Sequence, residues 1–169
     1  MATKLSNYPG GFPNGVSIRG MTAFESFAGN VFWLSSSRGA DTGKGTRDRP
    51  FATLDYAIGR CTANNGDVIM VMPNHAETIT GVGGITVDVD GISIIGMGSF
   101  NQRPRFLMDG GTTVSAVISA ADATLRNLVF ASGHASVATL FGITGVGAHI
   151  DFCEATDNTT FDAYVDCRG

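Results

Sequence analysis

From Gly66 onward the chain alternates short apolar runs with turn formers, and one run returns at intervals too long for a hairpin. It reads Gly91-Ile92-Ser93-Ile94-Ile95-Gly96, then Ala123-Thr124-Leu125-Arg126-Asn127-Leu128, then Ala148-His149-Ile150-Asp151-Phe152-Cys153. Aligned on Ile94, Leu125 and Ile150, the spacings are 31 and 25 residues, and 25 residues before Ile94 lies Ile69, inside Gly66-Asp67-Val68-Ile69-Met70-Val71-Met72. Repeats of about 20 to 50 residues mark solenoids, propellers or arrays, because one unit cannot bury its apolar face without stacking on the next. A second, offset set reads Gly84-Ile85-Thr86-Val87-Asp88-Val89, Val114-Ser115-Ala116-Val117-Ile118-Ser119, Val137-Ala138-Thr139-Leu140-Phe141 and Ala163-Tyr164-Val165-Asp166. Centred on Thr86, Val117 and Leu140, it is spaced by 31 and 23 residues. Both sets predict one longer round of winding, and the polar, proline-bearing residues 99–106 are expected to hold the surplus as a bulging loop.

Ahead of the repeat, Phe51, Leu54, Ala57, Ile58 and Cys61 share one face at helical spacing, with Pro50 at an early helical position. Gly59 weakens this helix and Asn64-Asn65-Gly66 ends it, so one short helix is predicted over residues 51–62. Laid across the end of a winding sheet, it would cover apolar core and unpaired backbone together, as a cap. Residues 38–50 contain glycines and basic side chains but lack G-x-x-x-x-G-K-[ST] spacing and a preceding buried strand, so they read as an exposed loop and not as a phosphate cradle. Residues 1–37 combine the turn formers Pro9-Gly10-Gly11-Phe12-Pro13-Asn14-Gly15 with apolar stretches at 24–27 and 31–34. That mixture suits neither a helix bundle nor a free linker, and it should lie on the winding body's own flank or on another chain.

Hydrophobic content of 43% is enough for a sizeable core, while 23 glycines and only 15% charged residues suit stacked strands joined by tight turns. No apolar run is long enough to cross a membrane as a helix, and no membrane partner is expected. The first residues have no apolar core of a secretory signal, so the chain is expected to be made in the cytosol. Cys61, Cys153 and Cys167 are odd in number and form no C-x-x-C pair, which points away from a disulfide framework and a zinc site; Cys153 reads as a small core hydrophobe. The net charge of −4 hides an asymmetry: six basic against three acidic residues over 1–50, and five against twelve over 51–169. A basic leading segment on an acidic body suits docking on an acidic protein surface or on nucleic acid; a solvated arm with incidental charge is the plain alternative.

Pro50-Phe51-Ala52-Thr53-Leu54-Asp55-Tyr56-Ala57-Ile58, followed by Gly66-Asp67-Val68-Ile69-Met70-Val71-Met72-Pro73-Asn74-His75-Ala76-Glu77-Thr78-Ile79, resembles the capping helix and first coil of a right-handed parallel β-helix. Within that fold, Tyr8-Pro9-Gly10-Gly11-Phe12-Pro13-Asn14-Gly15-Val16 is similar to the leading segment of a family of tailed-bacteriophage virion proteins. The resemblance implies an all-β protein: a short single-stranded β-helix of about four coils over residues 51–169, capped by a helix and preceded by an extended arm over residues 1–50. It is specific for the fold and weak for chemistry, since the same architecture serves lyases, hydrolases and adhesins.

Glycoside hydrolysis needs two carboxyl groups about 5 to 9.5 Å apart, and neighbouring coils about 4.8 Å apart can place them so. Asp88, Asp90, Asp109, Asp122, Asp151, Glu154 and Asp157 are the candidates. Asp90 and Asp122 precede their strands at matching places and read as turn residues bonding their own backbone. Arg126 and Asp151 occupy equivalent places and should form an ion pair between rungs. No lysine follows Lys44, and His75, His134 and His149 fall on different coils, so neither lyase chemistry nor a triad is expected.

The resulting expectation is a non-enzymatic homotrimeric virion protein without cofactor or metal, assembled in the host cytoplasm and carried on the capsid surface as a decoration or cement protein. The resemblance implies the trimer and the virion; the major capsid protein is the expected partner, and nucleic acid is not. Phe12, Phe24, Phe27, Phe32 and Trp33 would supply apolar anchors, and Arg19, Arg38, Lys44, Arg47 and Arg49 the charge. The alternative is a tailspike or tail-fibre module that binds or cleaves host-surface glycan, for which Tyr164 and Phe130 are the available aromatic residues.

Overall fold

The structure is a computed structural model, which describes residues 29–81, 84–134 and 139–157 and the backbone of three further strands, β1 (Val16–Ile18), β2 (Met21–Phe24) and β15 (Val165–Cys167). It is mostly β, and its one described α-helix, α1 (Leu54–Ile58), has five residues. β1 and β2 pair antiparallel. The remaining strands are β3 (Val31–Leu34), β4 (Val68–Val71), β5 (Ala76–Ile79), β6 (Ile85–Val87), β7 (Ser93–Gly96), β8 (Arg105–Met108), β9 (Ala116–Ile118), β10 (Thr124–Arg126), β11 (Val129–Ser132), β12 (Phe141–Ile143), β13 (His149–Asp151) and β14 (Glu154–Asp157). With β15 they form three parallel sheets, in the orders β3-β4-β7-β10-β13, β5-β8-β11-β14 and β6-β9-β12-β15. The chain thus visits the first, second and third sheet in turn and begins again.

In the first sheet Phe32, Ile69, Ile94, Leu125 and Ile150 are consecutive register partners. This column coincides with the alignment read from the repeat and extends it by one strand toward the N-terminus. Like stacks on like here because a parallel register places equivalent residues on the same face of each strand. The second repeat needs a correction. In the third sheet Thr86, Val117, Gly142 and Asp166 are partners, so the third centre is Gly142 and not Leu140. Leu140 is fully buried just before β12, where apolar content alone made it look like a strand centre.

The β-helix reading implies a further sheet, but neither repeat locates its strands. Its column is Glu77, Phe106, Phe130 and Ala155. Only residues 99–104 of the expected loop lie outside the sheet, with a 3-10 turn at Phe100–Gln102, and the chain re-enters the sheet as β8. Phe106 is fully buried there. Its ring stacks on Phe130 at 5.5 Å between centroids and lies 5.3 Å from His75, while Phe130 meets Phe141 edge-on at 4.7 Å. Burial on this scale outweighs the polar composition of the neighbouring residues. Where one round packs on the next there is little space between backbones: a Cβ on Gly84, whose φ is +63°, would lie 1.7 Å from the Ser115 carbonyl oxygen.

The predicted helix over 51–62 is trimmed to Leu54–Ile58 by competing partners. Phe51 forms a parallel bridge to Leu34, and the Asp41 carboxylate accepts the amides of Ala52 and Thr53 and the Thr53 hydroxyl. Glu77, which faces inward from β5, accepts the first helical amide, that of Leu54, at 3.0 Å. Leu54, Ala57 and Ile58 are buried, and α1 packs against β6 and β3. Residues 31–34, expected to lie either on the body or on another chain, lie on the body: β3 is paired in parallel along its whole length with β4.

Candidate functional site

The acidic residues are mainly used in holding the rounds together. Asp67 is fully buried and is the densest polar hub among the described residues. Its oxygens accept the Asn30 amide N–H at 2.6 Å, the Asn30 side-chain amide at 3.1 Å, the Asn65 side-chain amide at 2.7 Å and the Thr62 N–H at 2.7 Å. Burial alone pushes its carboxyl up, but the hydrogen bonds from Thr62, Asn30 and Asn65 outweigh that and hold it below its ordinary value. No motif marked it, since its donors converge from residues 30 to 65. Burial and then the nearby Asp67 charge push the Cys61 thiol up to about 12, and burial also raises the Cys153 thiol, so both behave as small apolar groups and not as nucleophiles.

Asp90 does not bond its own backbone as expected; it accepts the N–H of Ala121, one round later, at 2.7 Å. Asp122 has φ +52° and is exposed beside Gly147. The turn is therefore set by contact with the next round, which local sequence does not reveal. Asp88 and Asp109 are exposed, and the side chain of Asp157 lies outside the described set. Glu154 receives Arg103 at 2.7 Å. Arg126 and Asp151 form the anticipated ion pair at 3.4 Å, both about half exposed. Water screens such a pair, so a double-mutant cycle with Arg126→Ala and Asp151→Ala, read by urea denaturation, should give a coupling below about 1 kcal/mol that shrinks further in high salt.

His75 is buried with both ring nitrogens engaged: Nδ1 accepts the Ser36 N–H at 2.9 Å, and Nε2 lies 3.2 Å from the Glu77 carboxylate. An Nδ1 that accepts a backbone N–H leaves the ring proton on Nε2, so this pair clamps the 35–53 loop to β5 and has no nitrogen left for a substrate. His134, two residues after β11, and His149, on β13, are exposed and far apart in the chain. Among the described residues no group of three or more His, Cys, Asp or Glu side chains is placed to hold a metal ion, and no helix is long and apolar enough to cross a membrane.

The ten expected anchoring residues divide three ways. Phe12, Arg19 and Phe27 lie outside the described residues, as does the side chain of Phe24. Phe32 packs against the core, its ring 5.8 Å from Phe51, and Trp33 is half-buried with the Arg47 guanidinium 5.6 Å above it. Both belong to β3: Phe32 faces the core, whereas Trp33, on the opposite face, underlies the 38–50 loop. Arg38, Lys44, Arg47 and Arg49 are all exposed on the 38–50 loop. The loop is fixed by backbone bonds from Gly39 to Ser35, Ala40 to Pro50 and Trp33 to Gly45. Its acid Asp41 is spent on the helix start, which leaves Asp48 as the loop's other carboxylate. Together they form a hydrogen-bonded, cationic loop on a body whose other residues are net acidic.

Of the aromatic residues considered for glycan contact, Phe130 is in the core and Tyr164 lies outside the described residues. Two others are exposed instead, Phe100 at 92% and Phe152 at 71%. Phe152 occupies the turn position after β13 that Asn127 occupies after β10, as the alignment of the repeat on Leu125 and Ile150 places it. Neither family models, nor curated proteins, nor solved structures give a match to this chain.

Proposed function

We propose that this chain is a non-enzymatic phage virion protein that decorates or cements the capsid. Its body is proposed to be a right-handed parallel β-helix of about four coils, a reading supported by the regular return of the chain to each of three parallel sheets. The observation that carries the functional reading is the fixed loop presenting Arg38, Lys44, Arg47 and Arg49 beside the helix-capped end, which suits an acidic protein surface. Residues 1–28, with Phe12, Arg19, Phe24 and Phe27, supply the rest of the proposed anchor, and Phe32 and Trp33 support the loop from beneath. Trimeric association is part of the proposal, because closed symmetry covers sheet edges without building filaments.

Reversing all four loop cations to glutamate in the phage that encodes the protein should reduce its occupancy on purified particles at least tenfold. The purified variant should keep its far-ultraviolet circular dichroism and melting temperature. Full occupancy would refute the anchoring role. The second reading, a tailspike or tail-fibre module, is favoured by the exposed Phe100 and Phe152. Electron cryo-microscopy of the particle separates the two by head or tail density.

A further inference from the structure

The outer face of the second sheet carries a groove that neither the fold nor the anchoring end requires. Arg105, Val129 and Glu154 are successive register partners along its floor, and the 99–104 insertion stands over them as a wall. Its cavity of about 210 Å³ is lined by Phe100, Asn101, Arg103, Arg105, Glu154 and Thr156, with Val129 beneath. Arg103 stitches wall to floor: it donates to Glu154, to the Leu128 carbonyl and to the Phe152 carbonyl. The wall is therefore held in place without an occupant.

Phe100 stands on this wall in the left-handed region at φ +53°, and Phe152, tied to it through Arg103, has φ +50°. For a bulky side chain that conformation is an outlier, tolerated readily by Asn or Gly. Asn127 occupies the turn equivalent to that of Phe152, and there its side chain donates to the Gly96 and Gly98 carbonyls. Phenylalanine forms no such bond: the Phe152 ring has only the half-exposed Arg126 guanidinium 5.6 Å above it, and the Phe100 ring, mostly in water, makes no ring contact with any described residue, so at Phe100 packing does not repay the strain. Strain kept without a structural return points to a ligand-facing role. Charge supplies the second argument. Arg103 is matched by Glu154, whereas the exposed Arg105 guanidinium makes no hydrogen bond or ion pair with any described residue. The groove holds one surplus cation in a half of the chain that is otherwise net acidic.

We propose that this groove binds an acidic saccharide, with the C–H face of a sugar ring on Phe100, its carboxylate on Arg105 and its hydroxyls on Asn101, Glu154 and Thr156. A planar guanidinium takes a carboxylate through two parallel bonds, which favours a uronic-type acid over a neutral sugar. A peptide fits less well. It would need apolar side-chain pockets, and of the lining residues only Phe100 and Val129 are apolar. The site does not depend on whether the protein sits on the head or the tail.

The test is isothermal titration of the full chain with trigalacturonate, maltotriose and a hexaglutamate peptide. Trigalacturonate should bind, and maltotriose should bind at least tenfold more weakly. Arg105→Met and Phe100→Gly should each weaken trigalacturonate binding at least tenfold. Phe100→Gly should also leave the melting temperature unchanged or raise it, because glycine relieves the strain, and Arg60→Ala, which removes an exposed cation elsewhere, should bind as the parent does. Absence of trigalacturonate binding at millimolar concentration, or full affinity in either groove variant, would overturn the assignment. Equal or tighter binding of hexaglutamate would also overturn it, by assigning the groove to an acidic peptide.

Discussion

Phe106→Ala should destabilise the protein by about 3 to 5 kcal/mol in urea denaturation, the range found when a fully buried aromatic ring is truncated. The cost has two sources, the apolar area returned to water and the cavity left between His75 and Phe130. Neither neighbour can close that cavity, since His75 is pinned by Ser36 and Glu77 and Phe130 is wedged against Phe141. A Phe106→Ala, Phe130→Ala double variant should then lose less than the sum of the single changes, by about 0.5 to 1.5 kcal/mol, because the stacked pair is lost only once. The measurement also decides a point of architecture. Were residue 106 part of a bulging surface loop, as local composition suggests, the change would stay within about 0.5 kcal/mol.

Asp67→Ala should cost a similar amount, about 3 to 5 kcal/mol, for a different reason. Removing the carboxylate takes the charged acceptor from the amides of Asn30, Asn65 and Thr62. Each hydrogen bond to a charged group contributes about 1.5 to 3 kcal/mol, part of which water restores because these three residues are exposed. Asp67 also sets part of the acid limb of stability. Its carboxyl is depressed in the folded state, so its contribution is complete above the ordinary carboxyl value of 3.8 and is lost as pH falls through the lower folded value. Unfolding free energies measured from pH 7 to pH 2.5 should therefore fall more steeply for the parent than for Asp67→Asn below about pH 4. Parallel curves would show that the carboxylate is not preferentially ionised in the fold.

The legible parts of this fold are those with a period. The column through Ile69, Ile94, Leu125 and Ile150 could be aligned because its residues are alike in chemistry and only one of its three intervals departs from 25 residues. The same alignment placed Arg126 beside Asp151, since equivalent residues of a parallel register must be neighbours. The column through Glu77, Phe106, Phe130 and Ala155 could not be aligned, because it runs from a carboxylate through two rings to a methyl. Its first member serves the helix amide, and the next two serve each other. The strands of the second sheet are not legible for that reason, and residues 105 and 106 read as loop.

The candidate sites divide along the same line. The exposed cations of the 38–50 loop were legible from charge and glycine alone, because few partners compete for them. That Phe32 and Trp33 belong to the body depended on β3 finding β4, 37 residues away in register, a choice no local pattern encodes. The groove beneath Phe100 needed Arg105, Val129 and Glu154 to meet from three rounds of the chain. Period and composition were sufficient for the winding and for the cationic end, because each rests on local residue type. The Asp67 hub, the His75 clamp and the groove were settled only by packing, because each is a convergence of side chains separated by tens of residues.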